Sequence, residues 1–149
     1  MDEQKPKTLV SAEENADVSR AVRQWLNTYP DKPLSKLDFE WLGEKIGLCI
    51  STIQAAYKTK QFIDGSYQAQ YQFKIILRTM AKNADERMSA DEVLDAYGAW
   101  AEANAGSLTI ADGIRVRKVK RDTAAALFAR YEGDVEDHQI LLTLIYEVI

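Results

Sequence analysis

A nearly regular alternation of apolar and polar residues runs from Tyr67 to Thr79 and is the clearest pattern in the chain. Side chains on a β-strand point to opposite faces with a period of two, so the pattern predicts one long strand over Tyr67–Met80. Its odd positions are mostly apolar, and its even positions begin with three glutamines. The turn dipeptide Asp64-Gly65 precedes the strand. We expect the odd face to be buried and the even face to meet solvent or a partner.

Two other segments have apolar residues at the spacing of an amphipathic helix. In the first, the apolar stripe runs from Val18 to Tyr29, and Pro30 then ends the helix because proline cannot continue its hydrogen-bond ladder. In the second, the stripe runs from Val93 to Ala101, and residues 104–106 supply the stop. Each stripe follows a serine and a glutamate three residues apart, the spacing of a capping box. The two pairs are Ser11 with Glu14 and Ser89 with Glu92.

Further β structure is predicted in four segments. Residues 37–41 alternate, Leu48–Tyr57 has the composition of a strand, and a β region covers Ile114–Tyr131. The last segment, Gln139–Val148, is apolar on both faces, which is typical of a strand at the centre of a sheet. Strands and helices thus follow one another in blocks. We predict an α+β fold, a mostly antiparallel β-sheet packed on one face by two helices.

Length and composition fit one globular domain. The chain has 149 residues, of which 46% are hydrophobic and 28% are charged. We expect residues 14–149 to form that domain and residues 1–13 to form a flexible N-terminal arm. The start of the chain is polar and acidic, so no signal peptide is expected, and no segment approaches the run of about 20 apolar residues that a membrane span needs. The sequence predicts a soluble protein made in a cytoplasm, without a membrane partner.

Residues for catalysis or metal binding are sparse. Cys49 is the only cysteine, which excludes an intramolecular disulfide and a cysteine metal cage. His138 is the only histidine, and its place in a polar run before the last strand indicates an exposed strand-end residue. Paired carboxylates such as Asp91-Glu92 and Glu136-Asp137 stand at predicted helix starts or in a turn. We predict no catalytic residue, no cofactor and no metal site.

Two polar segments are better candidates for contact with a partner. A net charge of −4 argues against a general nucleic-acid binder. One basic run nevertheless either docks an acidic partner or DNA, or forms an edge strand whose charges block unwanted pairing. It comprises Arg115, Arg117, Lys118, Lys120 and Arg121. Three glutamines on the even face of the long strand either bond a neighbouring subunit or face solvent. They are Gln68, Gln70 and Gln72.

Several segments resemble, in their order and spacing, a family of structural phage proteins. They are Trp25-Leu26-Asn27-Thr28-Tyr29-Pro30, Leu37-Asp38-Phe39, Phe62-Ile63-Asp64-Gly65-Ser66, Gln70-Tyr71-Gln72-Phe73, Leu94-Asp95-Ala96-Tyr97-Gly98-Ala99-Trp100, Gln139-Ile140-Leu141-Leu142 and Ile145-Tyr146. The most distinctive segment is the turn that begins at Phe62 and leads into the long alternating strand. From about residue 16 to residue 149 the chain resembles the minor capsid or tail terminator proteins of tailed phages and prophages of Gram-positive bacteria.

The resemblance implies an α+β protein that forms a ring, usually a hexamer, on the head-proximal end of the tail tube. Such a ring stops polymerisation of the major tail tube protein and offers a surface to the head-tail connector or stopper protein. DNA passes through the lumen without sequence-specific binding. The implied location is the virion, at the junction of tail and neck, after assembly in the cytoplasm of the bacterial host. No cofactor and no catalysis are implied.

Closed rings use heterologous interfaces, in which two different patches of each subunit meet. The resemblance supplies no residues for these patches, so we predict them from loop and edge chemistry. The first patch covers the turn and the start of the long strand, with Lys58, Lys60, Asp64, Tyr67, Gln68, Gln70 and Gln72. The second patch covers the basic strand, with Arg115, Arg117, Lys118 and Arg121.

Three other interpretations stay open at this point. A stopper or adaptor protein would share the composition and the ring symmetry, and would bind the neck rather than the tube. A small hydrolase would need a site around His138 or around a pair of carboxylates. A nucleic-acid module would use the basic strand, and its binding would be lost at moderate salt.

Overall fold

The computed structural model describes residues 8–33, 37–39 and 46–149. Helices and strands follow in the order strand, helix, three strands, helix, three strands. They are β1 (Thr8–Leu9), α1 (Ala12–Leu26), β2 (Leu37–Phe39), β3 (Gly47–Gln61), β4 (Tyr67–Met80), α2 (Ala84–Ala103), β5 (Ile114–Arg121), β6 (Ala126–Arg130) and β7 (Val135–Val148). The predicted long strand therefore has the expected bounds. Among the described residues, no helix combines the length and the apolar character that a membrane span requires.

Within the described part of the chain, seven strands form one sheet in the order β1-β3-β4-β7-β5. β2 lies beside β3 in parallel, and β6 lies beside β7. The other pairings are antiparallel. The α+β class and the mostly antiparallel sheet are confirmed. β7 has β4 on one side and β5 and β6 on the other, which explains why its sequence is apolar on both faces.

Both helices cover the same face of the sheet. Odd residues of β4 pair with even residues of β7, for example Phe73 with Leu142 and Ile75 with Ile140, and these side chains are fully buried. They belong to one hydrophobic core that also contains residues of α1 and α2. The opposite face carries the even residues of β4 and the odd residues of β7. We call it the open face.

An aromatic cluster joins the end of α1 to α2. Trp25 stacks on Trp100 with ring centroids 5.3 Å apart, and Tyr29 packs on Tyr97 at 4.5 Å. The Tyr97 hydroxyl donates a hydrogen bond of 2.6 Å to the Leu26 carbonyl. Burial of the phenol raises the pKa of Tyr97, because the phenolate would lose its hydration. Each such aromatic pair adds about 1 kcal/mol beyond simple burial, so the cluster fixes the two helices against each other.

The start of α1 was predicted correctly from the sequence, whereas the start of α2 was not. Ser11 caps α1, and its hydroxyl accepts a hydrogen bond of 3.1 Å from the Glu14 amide, as the capping-box spacing indicated. The predicted start of α2 at Ser89 is wrong. Asn83 caps this helix and accepts a bond of 2.9 Å from the Glu86 amide, so Ser89 lies inside the helix. Asn-x-x-Glu is an equally good capping sequence, and the earlier of the two starts is used.

Part of the predicted N-terminal arm, residues 1–13, belongs to the folded domain. Thr8 and Leu9 pair with β3, and the Val10 amide donates to the Ala56 carbonyl at 3.2 Å. Residues 8–13 thus form a sheet edge and the start of α1, whereas residues 1–7 lie outside the described residues. The predicted alternation over 37–41 is found as a strand over residues 37–39, and Trp41 lies outside the described residues.

Candidate functional site

The sheet register brings the glutamines of the first predicted contact patch and two basic residues of the second, Arg115 and Lys118, onto the same face. Gln70 of β4 pairs with Ile145 of β7, and Ile145 pairs with Lys118 of β5, so the three side chains form one row on the open face. Gln68, Glu147 and Arg115 form the next such row. Adjacent strands are about 4.8 Å apart, which places the glutamines roughly 10 Å from the basic strand. They form one continuous surface, with only β7 between them.

This surface carries an excess of positive charge. Arg117 pairs with Glu147 at 3.6 Å, and Lys120 pairs with Asp122 at 3.9 Å. Lys60, Arg115 and Lys118 take part in no ion pair within the residues that the structure describes. The exposed pairs are each worth less than about 1 kcal/mol, so they do not fix the cations in place. The open face is therefore a diffuse basic surface on a chain whose net charge is −4.

Three of the predicted contact residues instead lie on the helix-covered face, namely Lys58, Tyr67 and Arg121. The Tyr67 and Tyr146 hydroxyls both donate hydrogen bonds to the carboxylate of Glu14 on α1. Burial and the nearby Glu14 carboxylate together raise the pKa of Tyr67 to about 12. Arg121 lies against α2, where its Nε is 2.6 Å from Glu102 Oε1. Tyr67 and Arg121 therefore help to hold the helices onto the sheet. Tyr67 is partly buried, whereas the side chain of Arg121 stays 38% exposed.

The glutamines differ in how far their side chains are already occupied. Gln70 Oε1 accepts a hydrogen bond of 2.9 Å from the Tyr57 hydroxyl. Gln68 Nε2 donates to Thr59 Oγ1 at 3.2 Å. Gln72 makes no side-chain hydrogen bond to any part of the chain that the structure describes, and it is only partly buried. Gln72 is thus the glutamine best placed to bond a partner.

The hairpin of β3 and β4 ends in a tip with exposed apolar side chains. Gly65 has a φ of +91°, a conformation that glycine adopts without strain, and the Phe62 amide donates to the Ser66 carbonyl at 2.9 Å. Hydrogen bonds from Ser66 hold the pKa of Asp64 below its usual value. Phe62 is 46% exposed and Ile63 is fully exposed. We call residues 62–66 the hairpin tip.

Lys58, the remaining predicted contact residue of this patch, lies over an aromatic ring. Its Nζ is 4.4 Å from the centroid of the Tyr67 ring. A cation at this distance from an aromatic face is attracted by the ring quadrupole, by about 0.5–1 kcal/mol at an exposed site. Lys58 is thus oriented by its own chain, whereas Lys60 projects from an exposed position near the hairpin tip.

Two aromatic residues of the open face were not predicted from the sequence. Phe128 is 44% exposed, and Lys74 Nζ lies 5.4 Å from its ring centroid. Tyr131 is 48% exposed, and the Arg78 guanidinium lies 5.0 Å from its ring centroid. A shift in the pairing of β6 with β7 occurs at Phe128. The β region over Ile114–Tyr131 included these residues, but an irregularity of pairing leaves no period-two signal in the sequence.

The expectation that His138 is an exposed strand-end residue is wrong. The side chain is fully buried on the helix-covered face. Its Nδ1 lies 2.7 Å from Asp91 Oδ1 of α2, and its Nε2 lies 2.9 Å from Glu136 Oε1. The Arg87 Nε lies 3.1 Å from the other Glu136 oxygen. Burial alone would raise the pKa of Glu136, but the hydrogen bonds from His138 and Arg87 outweigh it and lower that pKa.

The neighbouring carboxylate points to the other face of the sheet. Arg78 binds both oxygens of Asp137, through Nε at 2.7 Å and Nη2 at 2.8 Å, and the Tyr131 hydroxyl donates to Asp137 at 2.9 Å. Successive residues of a strand point in opposite directions, so Glu136 and Asp137 cannot act on one substrate as an acid and base pair. Each carboxylate instead neutralises a cation on its own face.

These arrangements favour structural roles for the titratable groups. Both ring nitrogens of His138 are occupied by carboxylates, so neither nitrogen is available to activate a nucleophile. Among the residues described, no cluster of three or more His, Cys, Asp and Glu side chains has the geometry of a metal site. The open face and the hairpin tip carry most of the predicted contact residues.

No protein-family model matches the chain, and no curated protein matches it either.

Proposed function

We propose that the protein is a tail terminator, a structural virion protein that forms a ring on the head-proximal end of a phage tail tube. In this role it stops tube polymerisation and joins the tail to the head. The observation that carries the proposal is the β3–β4 hairpin. Its turn and long strand hold the most distinctive part of the resemblance, and its fully exposed Ile63 is displayed at the tip.

The open face supports a role in protein contact. Both helices cover one face of the sheet, and the exposed polar and aromatic side chains of the other face are the ones that we expect to meet a partner. That surface offers hydrogen-bonding glutamines, exposed aromatic rings and unpaired cations, the last of which suit an acidic protein surface. Aromatic residues are enriched in protein interfaces because they bury much area at little cost in conformational entropy.

The charge of the open face also bears on its orientation in the proposed ring. DNA must slide through the lumen, and a surface rich in unpaired cations would hold its phosphates. We therefore place the open face against the tail tube rather than around the lumen. Residues expected at this contact are Gln68, Gln70, Gln72, Arg115 and Lys118.

A tube-assembly assay tests the proposal. The purified chain is mixed with purified tail tube protein, and the products are followed by light scattering and negative-stain imaging. The proposal predicts tubes that stop at a uniform length with this protein at one end. The double variant R115E/K118E should lose capping, whereas Arg20→Glu, at an exposed position of α1, should retain it.

The same assay separates the terminator from a stopper or adaptor. A neck protein would leave tube length unchanged and would bind the purified head connector in a pull-down. Tube growth that is indifferent to this chain would contradict the proposed function, whatever the chain does with the connector.

A further inference from the structure

The hairpin tip has the character of a docking element. Ile63 is fully exposed and Phe62 is about half exposed, although both sit on a turn that hydrogen bonds make rigid. Two charged side chains of opposite sign flank them, Lys60 before the tip and Asp64 within it. A small apolar surface between a cation and an anion is complementary to an apolar groove with the same two charges on its rim.

Such a groove exists at the other end of β4, beside the first turns of α2. Its volume is about 460 Å³. Its apolar lining consists of Leu77, Met80, Ala90 and Val93. Its rim carries Lys82 and the two acidic residues Asp85 and Glu86, and all three are exposed.

The hairpin tip and the groove cannot meet within one molecule. They lie at opposite ends of the 14 residues of β4. At about 3.4 Å per residue, this separates them by roughly 45 Å along the strand. Any contact between them must join two copies of the chain.

We propose that the hairpin tip of one copy docks into this groove of a second copy of this chain. Ile63 and Phe62 enter against Met80 and Val93, with Lys60 near Asp85. Asp64 of the tip then lies on the side of Lys82. In this orientation each charge of the tip lies near a charge of opposite sign on the groove. The reversed orientation would place like charges together and is disfavoured.

The contact is heterologous because it joins two different surfaces. Each copy has one tip and one groove, so copies add head to tail. Such a contact gives a closed ring when the rotation between neighbouring copies closes, as the proposed terminator requires, and an open filament when it does not. The inference supplies a subunit contact for the ring proposed above, and in that respect it rests on the proposed function. It replaces the predicted contact between the glutamine strand and the basic strand, which lie on one face.

The test uses the full chain alone, in sedimentation experiments over a wide range of concentration. Ile63→Asp alters only the tip, and Ser89→Trp fills the groove from an exposed position on α2. We expect each variant to weaken self-association at least tenfold while its melting temperature stays that of the parent. Ile149→Asp, at another exposed apolar position, serves as the control and should associate like the parent.

A mixture of the two variants distinguishes this contact from a symmetric one. Ile63→Asp keeps an intact groove and Ser89→Trp keeps an intact tip, so the mixture should form dimers with one copy of each and nothing larger. A charge exchange gives a second readout. Lys60→Glu should weaken association, and Asp85→Lys in the same chain should restore it.

A cysteine pair makes the test decisive for weak association. Ile63→Cys and Ser89→Cys copies, mixed under oxidising conditions, should form a disulfide between copies, since the native Cys49 is buried. The proposal is overturned if the chain stays monomeric at every concentration and the cysteines do not cross-link. The proposal is also overturned if the Ile63→Asp and Ser89→Trp variants associate as strongly as the parent. If Ile63→Asp still caps tubes, the tip-groove contact is rejected and the terminator function is retained. If the chain associates through the tip but does not cap tubes, the contact is retained and the terminator function is rejected.

Discussion

His138 of β7 lies between two carboxylates, Asp91 of α2 and Glu136 of its own strand, and thereby connects α2 to the start of β7. His138→Ala would leave the buried Glu136 with one fewer donor. Breaking a buried charged cluster from one side costs about 3 kcal/mol, so we expect the free energy of unfolding in urea to fall by about that amount. Arg130→Ala is the matched control. Arg130 contacts the same carboxylate from solvent at 3.6 Å, and its loss should cost less than about 1 kcal/mol.

Glu136 makes the free energy of unfolding depend on pH in the acid range. Its pKa is lower in the folded protein than the value near 4.5 of an unperturbed glutamate. The stabilisation is therefore complete above the unfolded pKa and is lost as the pH falls through the folded pKa. Unfolding free energies measured between neutral and acid pH should decline in this window. The decline should be shallower in Glu136→Gln, and an identical slope would contradict the assignment.

Glu14 is the common acceptor for the Tyr67 and Tyr146 hydroxyls. Glu14→Gln removes its charge while keeping an acceptor oxygen. We expect the pKa of Tyr67 to fall from about 12 toward the ordinary value of 10.0, because the neighbouring negative charge that disfavours the phenolate is gone. An absorbance titration of the tyrosinates measures this change. A titration curve unchanged by the substitution would show that burial alone sets the pKa.

The face of the strand on which His138 lies could have been predicted from the sequence. Its even number places it with Ile140, Leu142 and Leu144 on one face of the strand, and that face is buried. The polar neighbours on both sides suggested exposure instead. What the sequence does not contain is the approach of Asp91, which lies 47 positions away and reaches the ring only after α2 packs on the sheet.

At the level of whole elements, Gly98 sets how closely α2 approaches the sheet. A Cβ atom at this position would lie 2.7 Å from Ile140 Cδ1 and 2.8 Å from Arg121 Cδ. Gly98→Ala gains up to about 1 kcal/mol of helix propensity, but overpacking costs about 1–3 kcal/mol. We expect a net loss of about 1 kcal/mol in urea unfolding.

Gly106→Ala provides the comparison for that prediction. Position 106 has no atom within 4 Å of an added Cβ. The substitution should therefore leave the free energy of unfolding almost unchanged. If Gly98→Ala proved as neutral as Gly106→Ala, the close approach of α2 to β7 would be wrong.

Periodicity was a good guide to elements that have one dominant pattern. The bounds of β4 and the buried stripe of α1 follow from it, because the burial of one side decides every position along the element. The start of α2 does not follow from periodicity, because Asn83 and Ser89 each lie three residues before a glutamate, which is the spacing of a capping box. Local chemistry allowed both starts, and the packing of Ala90 and Leu94 on the sheet is compatible with either one.

For the molecule as a whole, the order of strands in the sheet determines which distant residues share a face, and this order could not be predicted from the sequence. The glutamines and the basic residues were predicted as separate patches because Arg115 follows Gln72 by 43 positions. Insertion of β7 between β4 and β5 places the glutamines, Arg115 and Lys118 together on the open face. The helices cover the other face. Only the pairing of distant strands creates this arrangement.

The length distribution of tail tubes grown with and without this protein tests the central claim most directly. Purified tube protein is polymerised, this chain is added at increasing ratios, and tube lengths are measured on negatively stained images. A terminator predicts tubes that become shorter and more uniform as the ratio rises, with the added protein at one end only. Tubes that keep the same length distribution at every ratio, with no protein bound at their ends, would contradict the account.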